Sequence, residues 1–280
     1  FGNDELELMK SFAIQAAVSI ENTRLVQELV EQDRLKQEMR LGHEIQQGFL
    51  PKEAPQISGL RVSAFMEPAR EIGGDYYDFI LRPHSAGQGQ AGANDSSLLG
   101  IVIGDVTGKG LGAGLNMAMV KTTLLTLSKE PIGLKTILAK ANRILHGQMS
   151  FGTFISLLYL EWNPTSRTMS YAGAGHCDLL VLRKAADGVE VVNCGGTVLG
   201  LVPDVEAKLE ERNLPLQPGD KVVLFTDGVI EAQNGSNEEF GLQRLKASLE
   251  RHRSLAPEKL VEGIRRDVDA FIAEAQQYDD

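Results

Sequence analysis

The chain has 280 residues and a formal net charge of -10. With no cluster of Lys and Arg to form a basic stripe, that balance excludes a nucleic-acid-binding surface. Hydrophobic residues make up 42% of the sequence, ordinary for a globular protein, yet no apolar run approaches the ~18 residues needed to cross a bilayer, and no signal peptide opens the chain. Two cysteines, Cys177 and Cys194, cannot build a disulfide framework and point to a reducing compartment, the cytoplasm. One large domain, or one domain with an appendage, is expected. A first residue of Phe rather than Met reads as a fragment of a longer protein.

Residues 3 to 50 contain no proline and are rich in Glu, Gln, Leu and Ala. Asn3 is a candidate N-cap with Asp4 and Glu5 in the first turn, and Pro51 enforces a stop. Met9, Ala13, Ala16, Ile20, Leu25, Leu29, Leu35, Met39, Ile45 and Phe49 recur at helical spacing. A helix of this length would reach roughly 70 Å and cannot bury its own stripe, so a coiled coil or a packed neighbour is implied. Gly42 and Gly48 are weak points near its C-terminal end.

After Pro51 the pattern shifts to short strands. Leu60 to Met66 alternates and ends at Pro68, and Glu71-Ile72-Gly73-Gly74-Asp75 opens a strand that runs to Ile80. Residues 83 to 97 read as a loop without core-forming side chains. A strand follows, ending at Asp105, then two helices over about 113–129 and 131–147. Further strands are expected at Thr153–Trp162, Thr168–Tyr171, Asp178–Arg183, Val189–Val192, Val205–Leu209 and in the run from Gly219 to Asp227, before helices over about 239–252 and 257–275. Strands in series with helices in pairs predict an α+β fold of antiparallel sheets covered by helices.

The stretch Gly104-Asp105-Val106-Thr107-Gly108-Lys109-Gly110 follows a β-branched run and precedes a helix. Gly108, Gly110 and Ala113 fit a relaxed dinucleotide fingerprint. Asp105, however, would repel a pyrophosphate there, and Glu130 is followed by Pro131 and Gly133 rather than by a second strand. A P-loop fails as well, because Lys109 is followed by Gly110. Asp105 and Asp227 each end an apolar strand and precede loop residues, while Asp75 sits beside glycines and Asp279-Asp280 follows the last helix. Carboxylates gathered at one sheet edge repel each other unless a cation intervenes. Oxygen donors call for a hard divalent ion, and the Cys/His spacing of a zinc site is missing. A pair of such ions can hold a hydroxide in line with a phosphorus atom.

Four segments, Glu71 to Phe79, Gly104 to Gly110, Ala172-Gly173-Ala174-Gly175-His176 and Phe225-Thr226-Asp227-Gly228-Val229-Ile230-Glu231-Ala232, resemble in order and spacing the motif series of bacterial SpoIIE-type serine/threonine phosphatases, members of the PPM superfamily. The resemblance covers about residue 45 to the end. It implies an αββα sandwich with two Mn2+ or Mg2+ ions at one end of the stacked sheets. It further implies that Asp105 bridges both ions, that the Val106 carbonyl binds one, that Asp227 and Asp279 complete the first ion's shell, and that Asp75 acts directly or through water. Lys109, where many relatives carry His, is a candidate contact to phosphate or leaving group. Phe12 to Leu25 is similar to the last helix of a GAF sensory domain running into a signalling linker. The implied organisation is a linker over 1–50, dimerising through its helix, and a phosphatase domain over 51–280. The implied partner is a phosphorylated anti-anti-sigma (STAS) protein in partner-switching control of transcription.

Two departures stand out. The family continues past the Asp-Asp pair into a final strand, which this sequence lacks, and His176 is followed by Cys177-Asp178 where Asn-Pro is frequent, so a structural role is expected for His176. His176-Cys177, five residues and Arg183 also spell the H-C-x5-R pattern of cysteine-dependent phosphatases. The intervening residues are acidic, then apolar and free of glycine, so they cannot wrap a phosphate. The non-enzymatic alternative is an inactive phosphatase-fold interaction module that dimerises through the N-terminal helix.

Overall fold

The computed structural model describes residues 2–67, 73–83, 97–108, 110–149 and 152–273. Helix α1 (Asn3–Phe49) occupies the span that the proline-free sequence predicts and stops before Pro51, which has no N–H to continue the ladder. Along most of its described length apolar residues, among them Met9, Phe12, Ile20, Leu25 and Leu29, are exposed. Local pairs such as Arg24 with Glu21 and Glu28 support it. Its C-terminal end docks: Gly42 and Gln46 are buried and Phe49 packs against the core.

Among the described residues, eight strands form two sheets. Strands β1 (Asp75–Arg82), β2 (Leu98–Val106), β3 (Ile155–Asn163), β4 (Thr168–Ala174) and β7 (Glu211–Leu214) make a five-stranded sheet in the order β1-β2-β3-β4-β7. Strands β5 (Leu179–Leu182), β6 (Val189–Val192) and β8 (Lys221–Val223) make the second, in the order β6-β5-β8. Every ladder is antiparallel. Helices α2 (Leu111–Leu127) and α3 (Leu134–His146) follow β2, and α4 (Asp227–Glu231), α5 (Gly241–His252) and α6 (Pro257–Ile272) follow β8.

Period-2 alternation turns these elements into four layers. Tyr76, Val102, Leu157 and Tyr159 face α2 and α3, meeting Met117, Leu124, Ile137 and Leu138. The alternate residues of the same strands, Leu99, Leu158, Leu160 and Trp162, meet Leu179 and Val181 between the sheets. The other face of β5, Leu180 and Leu182, packs with Phe240, Leu245, Leu249 and Leu260 of the α5–α6 region. The result is the αββα sandwich that the motifs imply, each fully buried Leu, Phe or Met contributing about 1.5–3 kcal/mol. Arg82 joins the first two layers: it is buried, pairs with Glu161, and donates to the carbonyls of Ser128, Glu130 and Ile132 just past the end of α2. The cation thereby satisfies acceptors that a helix C-terminus leaves open, which offsets its own desolvation.

Three elements depart from the sequence reading. Leu60 to Met66, expected as a strand, takes no part in a described ladder beyond an isolated bridge between Ile57 and Leu60. Ion pairs Arg61–Glu258 and Arg265–Glu67, with the Arg265 guanidinium 4.4 Å from the Phe65 ring centre, tie it to α6 instead. Val205–Leu209, also read as strand-like, contains one turn of 3-10 helix at Glu206–Lys208, where the Asp204 carboxylate accepts the Glu206 N–H and bends the chain. The strand comes later, at β7, as a polar edge that carries no alternation. Lastly, Asp227 does not end a strand before a loop; β8 stops at Val223 and Asp227 opens α4. The loop expected over 83–97 falls almost wholly outside the described residues.

Candidate functional site

The register of the first sheet gathers the polar residues. Asp75, the first residue of β1, stands directly opposite Asp105 on β2, which stands opposite Ser156 on β3. Directly opposed residues share a face with Cβ atoms about 5 Å apart, so the three make a row across one end of the sheet. By alternation that row is on the face of Leu99, Ile101 and Ile103, which looks toward the second sheet. From that sheet the chain beyond β8 arrives at Thr226, whose hydroxyl donates to Asp75 Oδ2 at 2.6 Å. Asp227 follows immediately, and its carboxylate acts, together with those of Asp178 and Asp75, on the Cys177 thiol. The fold thus brings Asp75, Asp105 and Asp227 to one end of the sandwich, from two strands and a helix start far apart in sequence.

The backbone around Asp75 is built for close approach. A Cβ on Gly74 would stand 2.4 Å from the Val106 carbonyl oxygen, 2.6 Å from Asp105 Oδ1 and 3.4 Å from the Gly108 carbonyl. A side chain there would fill a place where three oxygens converge. The Val106 N–H donates to the Gly74 carbonyl at 3.1 Å, closing the turn against β2. Gly108 and Gly110, with φ of 99° and 79°, let the chain turn from β2 into α2 in a conformation that other residues rarely adopt. Thr107 fixes the start of that turn by exchanging hydrogen bonds with the Phe154 backbone.

Gln46 supports the site from α1. It is 1% exposed; its amide donates to the Gly73 carbonyl at 2.8 Å and accepts the Gly73 N–H at 3.1 Å. It also touches Met117 of α2. The end of the long helix is therefore bonded to the residue two before Asp75. Nothing in the sequence marks Gln46, since a glutamine on a polar helix is unremarkable until tertiary contacts bury it. Ser156 carries no sequence signal either, whereas Thr226 lies inside the Phe225-Thr226-Asp227-Gly228 motif.

His176 is buried where the chain crosses from β4 to β5. Its Nδ1 lies 2.8 Å from the Ser156 hydroxyl, and its Nε2 is buried without a hydrogen-bond partner. Burial lowers its pKa to about 4, opposed in part by the Phe225 backbone, so the ring is neutral near pH 7. Cys177 behaves oppositely: burial first, then the carboxylates of Asp227, Asp178 and Asp75, push its thiol up to about 12. A thiol held protonated is a poor nucleophile. The residues after Asp178 form the buried strand β5, and Arg183 pairs with Glu190 and Asp220. No phosphate-wrapping loop joins Cys177 to Arg183, so the cysteine-phosphatase arrangement is absent.

The oxygens at this end (the carboxylates of Asp75 and Asp105, the Val106 and Gly108 carbonyls, and the adjacent Asp227) are hard donors that fit Mg2+ or Mn2+. Among the described residues, no group of three or more His, Cys, Asp or Glu side chains is arranged to hold an ion. Asp279 and Lys109, both expected at the site, lie outside the described residues.

Comparison with known proteins places the chain in a family. The model described as Stage II sporulation protein E (SpoIIE) matches residues 95–280. The chain is 30% identical over 235 residues to the phosphoserine phosphatase RsbU of Bacillus subtilis (strain 168), covering 83% of this chain and 65% of that protein. It is 28% identical over 273 residues to protein IcfG of Synechocystis, covering 87% of this chain and 40% of that protein. The chain therefore spans less than two-thirds of the length of these curated relatives. Among solved structures, the PP2C domain of SiaA from Pseudomonas aeruginosa superposes with a TM-score of 0.67 over 89% of this chain and 94% of that one, at 19% identity, a likeness of fold. With more than half of this chain matched by the family model, the chain belongs to the SpoIIE family.

Proposed function

We propose that this chain is a metal-dependent protein phosphatase that removes phosphate from phosphoserine or phosphothreonine on a regulatory protein, a STAS-type anti-anti-sigma factor. The observation that carries this reading is the register that sets Asp75 opposite Asp105, with Thr226 delivering Asp227 to the same end. The activity of RsbU, a phosphoserine phosphatase, supports the reaction class, and the motif series supports the substrate class. In this reading Asp75, Asp105, Asp227 and Asp279, with the Val106 carbonyl, hold two Mn2+ or Mg2+ ions, and Lys109 contacts the phosphate or the leaving group. Bound there, such ions supply a water that loses its proton near neutral pH and neutralise charge on the phosphoryl oxygens. The chain's own contribution is to fix the carboxylates: Thr226 orients Asp75, the Gly74 turn admits the Val106 and Asp105 oxygens, and Gln46 anchors that turn.

The domain assignment follows: residues 1–50 as a linker that ends a sensory domain, and residues 51–280 as the phosphatase. The exposed apolar side chains of α1, Phe12, Ile20, Leu25 and Leu29 among them, favour a homodimer through that helix. Among the described residues no helix is long and apolar enough to cross a membrane. Hydrolysis of a phosphorylated STAS protein, and of para-nitrophenyl phosphate, with and without Mn2+, in wild type and Asp105→Ala, tests the reading. Activity confined to the wild type with metal supports it. Equal rates in both proteins would leave the inactive interaction module as the better description.

A further inference from the structure

The neutral imidazole of His176 lies at the crossing between the two sheets that carry the site. Gly175, with φ of 71°, ends the first sheet by a bridge to Leu157 and an N–H donated to the Gly195 carbonyl at 3.1 Å. The chain reaches the second sheet at Leu179. Within this span His176 is 8% exposed. On one side its Nδ1 lies 2.8 Å from Ser156 Oγ, and Ser156 is the register partner of Asp105. On the other side the ring interacts with the backbone of Phe225, two residues before Asp227. One side chain thus joins the cross-strand neighbour of Asp105 to the segment that leads into Asp227. A leucine would fill the same space but could bond to neither neighbour.

We propose that His176 is a positioning residue, a strut that sets the separation of the two sheets at the metal-binding end and so the spacing of Asp105 from Asp227. The inference rests on the metal reading above. Its effect runs through Ser156 and Phe225, with no contact to substrate.

The test is a calorimetric Mn2+ titration of the whole chain, wild type and variants, with thermal unfolding of each. His176→Ala and Ser156→Ala should each weaken Mn2+ binding by about ten-fold or more, the range found when supports behind metal ligands are removed. The double variant should be little worse than either single one, because both cut the same link. His176→Asn, which places an amide where Nδ1 stands and so keeps only the Ser156 end of the strut, should recover part of the affinity. His176→Gln, which reaches the Nε2 position instead, should not. A fall in melting temperature with unchanged Mn2+ affinity in His176→Ala would reduce the residue to ordinary core packing and overturn the proposal. If His176→Ala does not fold, unchanged affinity in Ser156→Ala has the same force. Failure of the wild type itself to bind Mn2+ is a separate outcome, which removes the metal reading and this strut with it.

Discussion

Replacing Gln46 with leucine should loosen the turn that presents Asp75 while leaving the volume at the end of α1 nearly unchanged. The side chain is 1% exposed and makes two hydrogen bonds to Gly73, at 2.8 Å to its carbonyl and 3.1 Å from its N–H. Gly73 is itself buried, so leucine strands one donor and one acceptor away from water. Each stranded group costs about 1–3 kcal/mol, and the apolar replacement returns a part of that through burial, leaving a net loss of about 2–4 kcal/mol. Against a typical stability of about 5–15 kcal/mol this is a large fraction. It corresponds to a fall in melting temperature on the order of 10 °C. The assay is equilibrium urea unfolding of wild type, Gln46→Leu and, as a control, Gln47→Leu at the exposed neighbouring position. Because Gly73 is two residues from Asp75, Mn2+ affinity should fall in Gln46→Leu and not in the control. A change below about 0.5 kcal/mol, equal to that of an ordinary surface substitution, would show that the Gln46–Gly73 bonds do not hold the turn.

Three further outcomes follow from the same geometry. Gly74→Ala should fold with lower stability and lose Mn2+ affinity, because its Cβ would sit 2.4 Å from the Val106 carbonyl oxygen and 2.6 Å from Asp105 Oδ1; an unchanged metal titration would refute the close packing there. Stability should fall with acid more steeply in the wild type than in His176→Asn. His176 has a folded pKa of about 4 against 6.5 unfolded, so below about pH 6.5 the unfolded chain takes up a proton that the folded one refuses. The contribution, about 3 kcal/mol, is present near neutrality and lost as pH falls toward about 4, which urea unfolding at about pH 7 and about pH 4.5 would measure. Removing residues 1–40 should convert a dimer into a monomer in light scattering; two monomers would contradict the role given to the exposed apolar residues of α1.

Much of the fold was legible because its elements obey local rules. The helix Asn3–Phe49 follows from an unbroken run ended by proline, and β2 and β3 follow from β-branched and apolar runs that alternate between two cores. The exceptions are elements fixed by distant partners. Residues 60–66 alternate like a strand but are held by Arg61 and Arg265 ion pairs to α6. Glu211–Leu214 is a strand because β4 offers it an edge, with three of its four residues exposed and polar. At the site, the aspartates were visible as strand-end carboxylates beside glycines, and their order resembled a family. Their opposition across a ladder could not be read, since register depends on how two separated strands align. Gln46, Ser156 and the environment of His176 were invisible for the same reason: each is an ordinary residue until the chain brings it against Gly73, Asp105 or Phe225.

The account depends on carboxylates from both sheets meeting to hold hard cations, and a calorimetric Mn2+ titration of the wild type beside Asp105→Ala measures that most directly. The wild type should bind Mn2+ and the variant should show no binding in the same range while unfolding at a similar temperature. Equal binding by the two proteins would contradict the central role given to Asp105 and, with it, the metal-dependent chemistry assigned to this end of the sandwich.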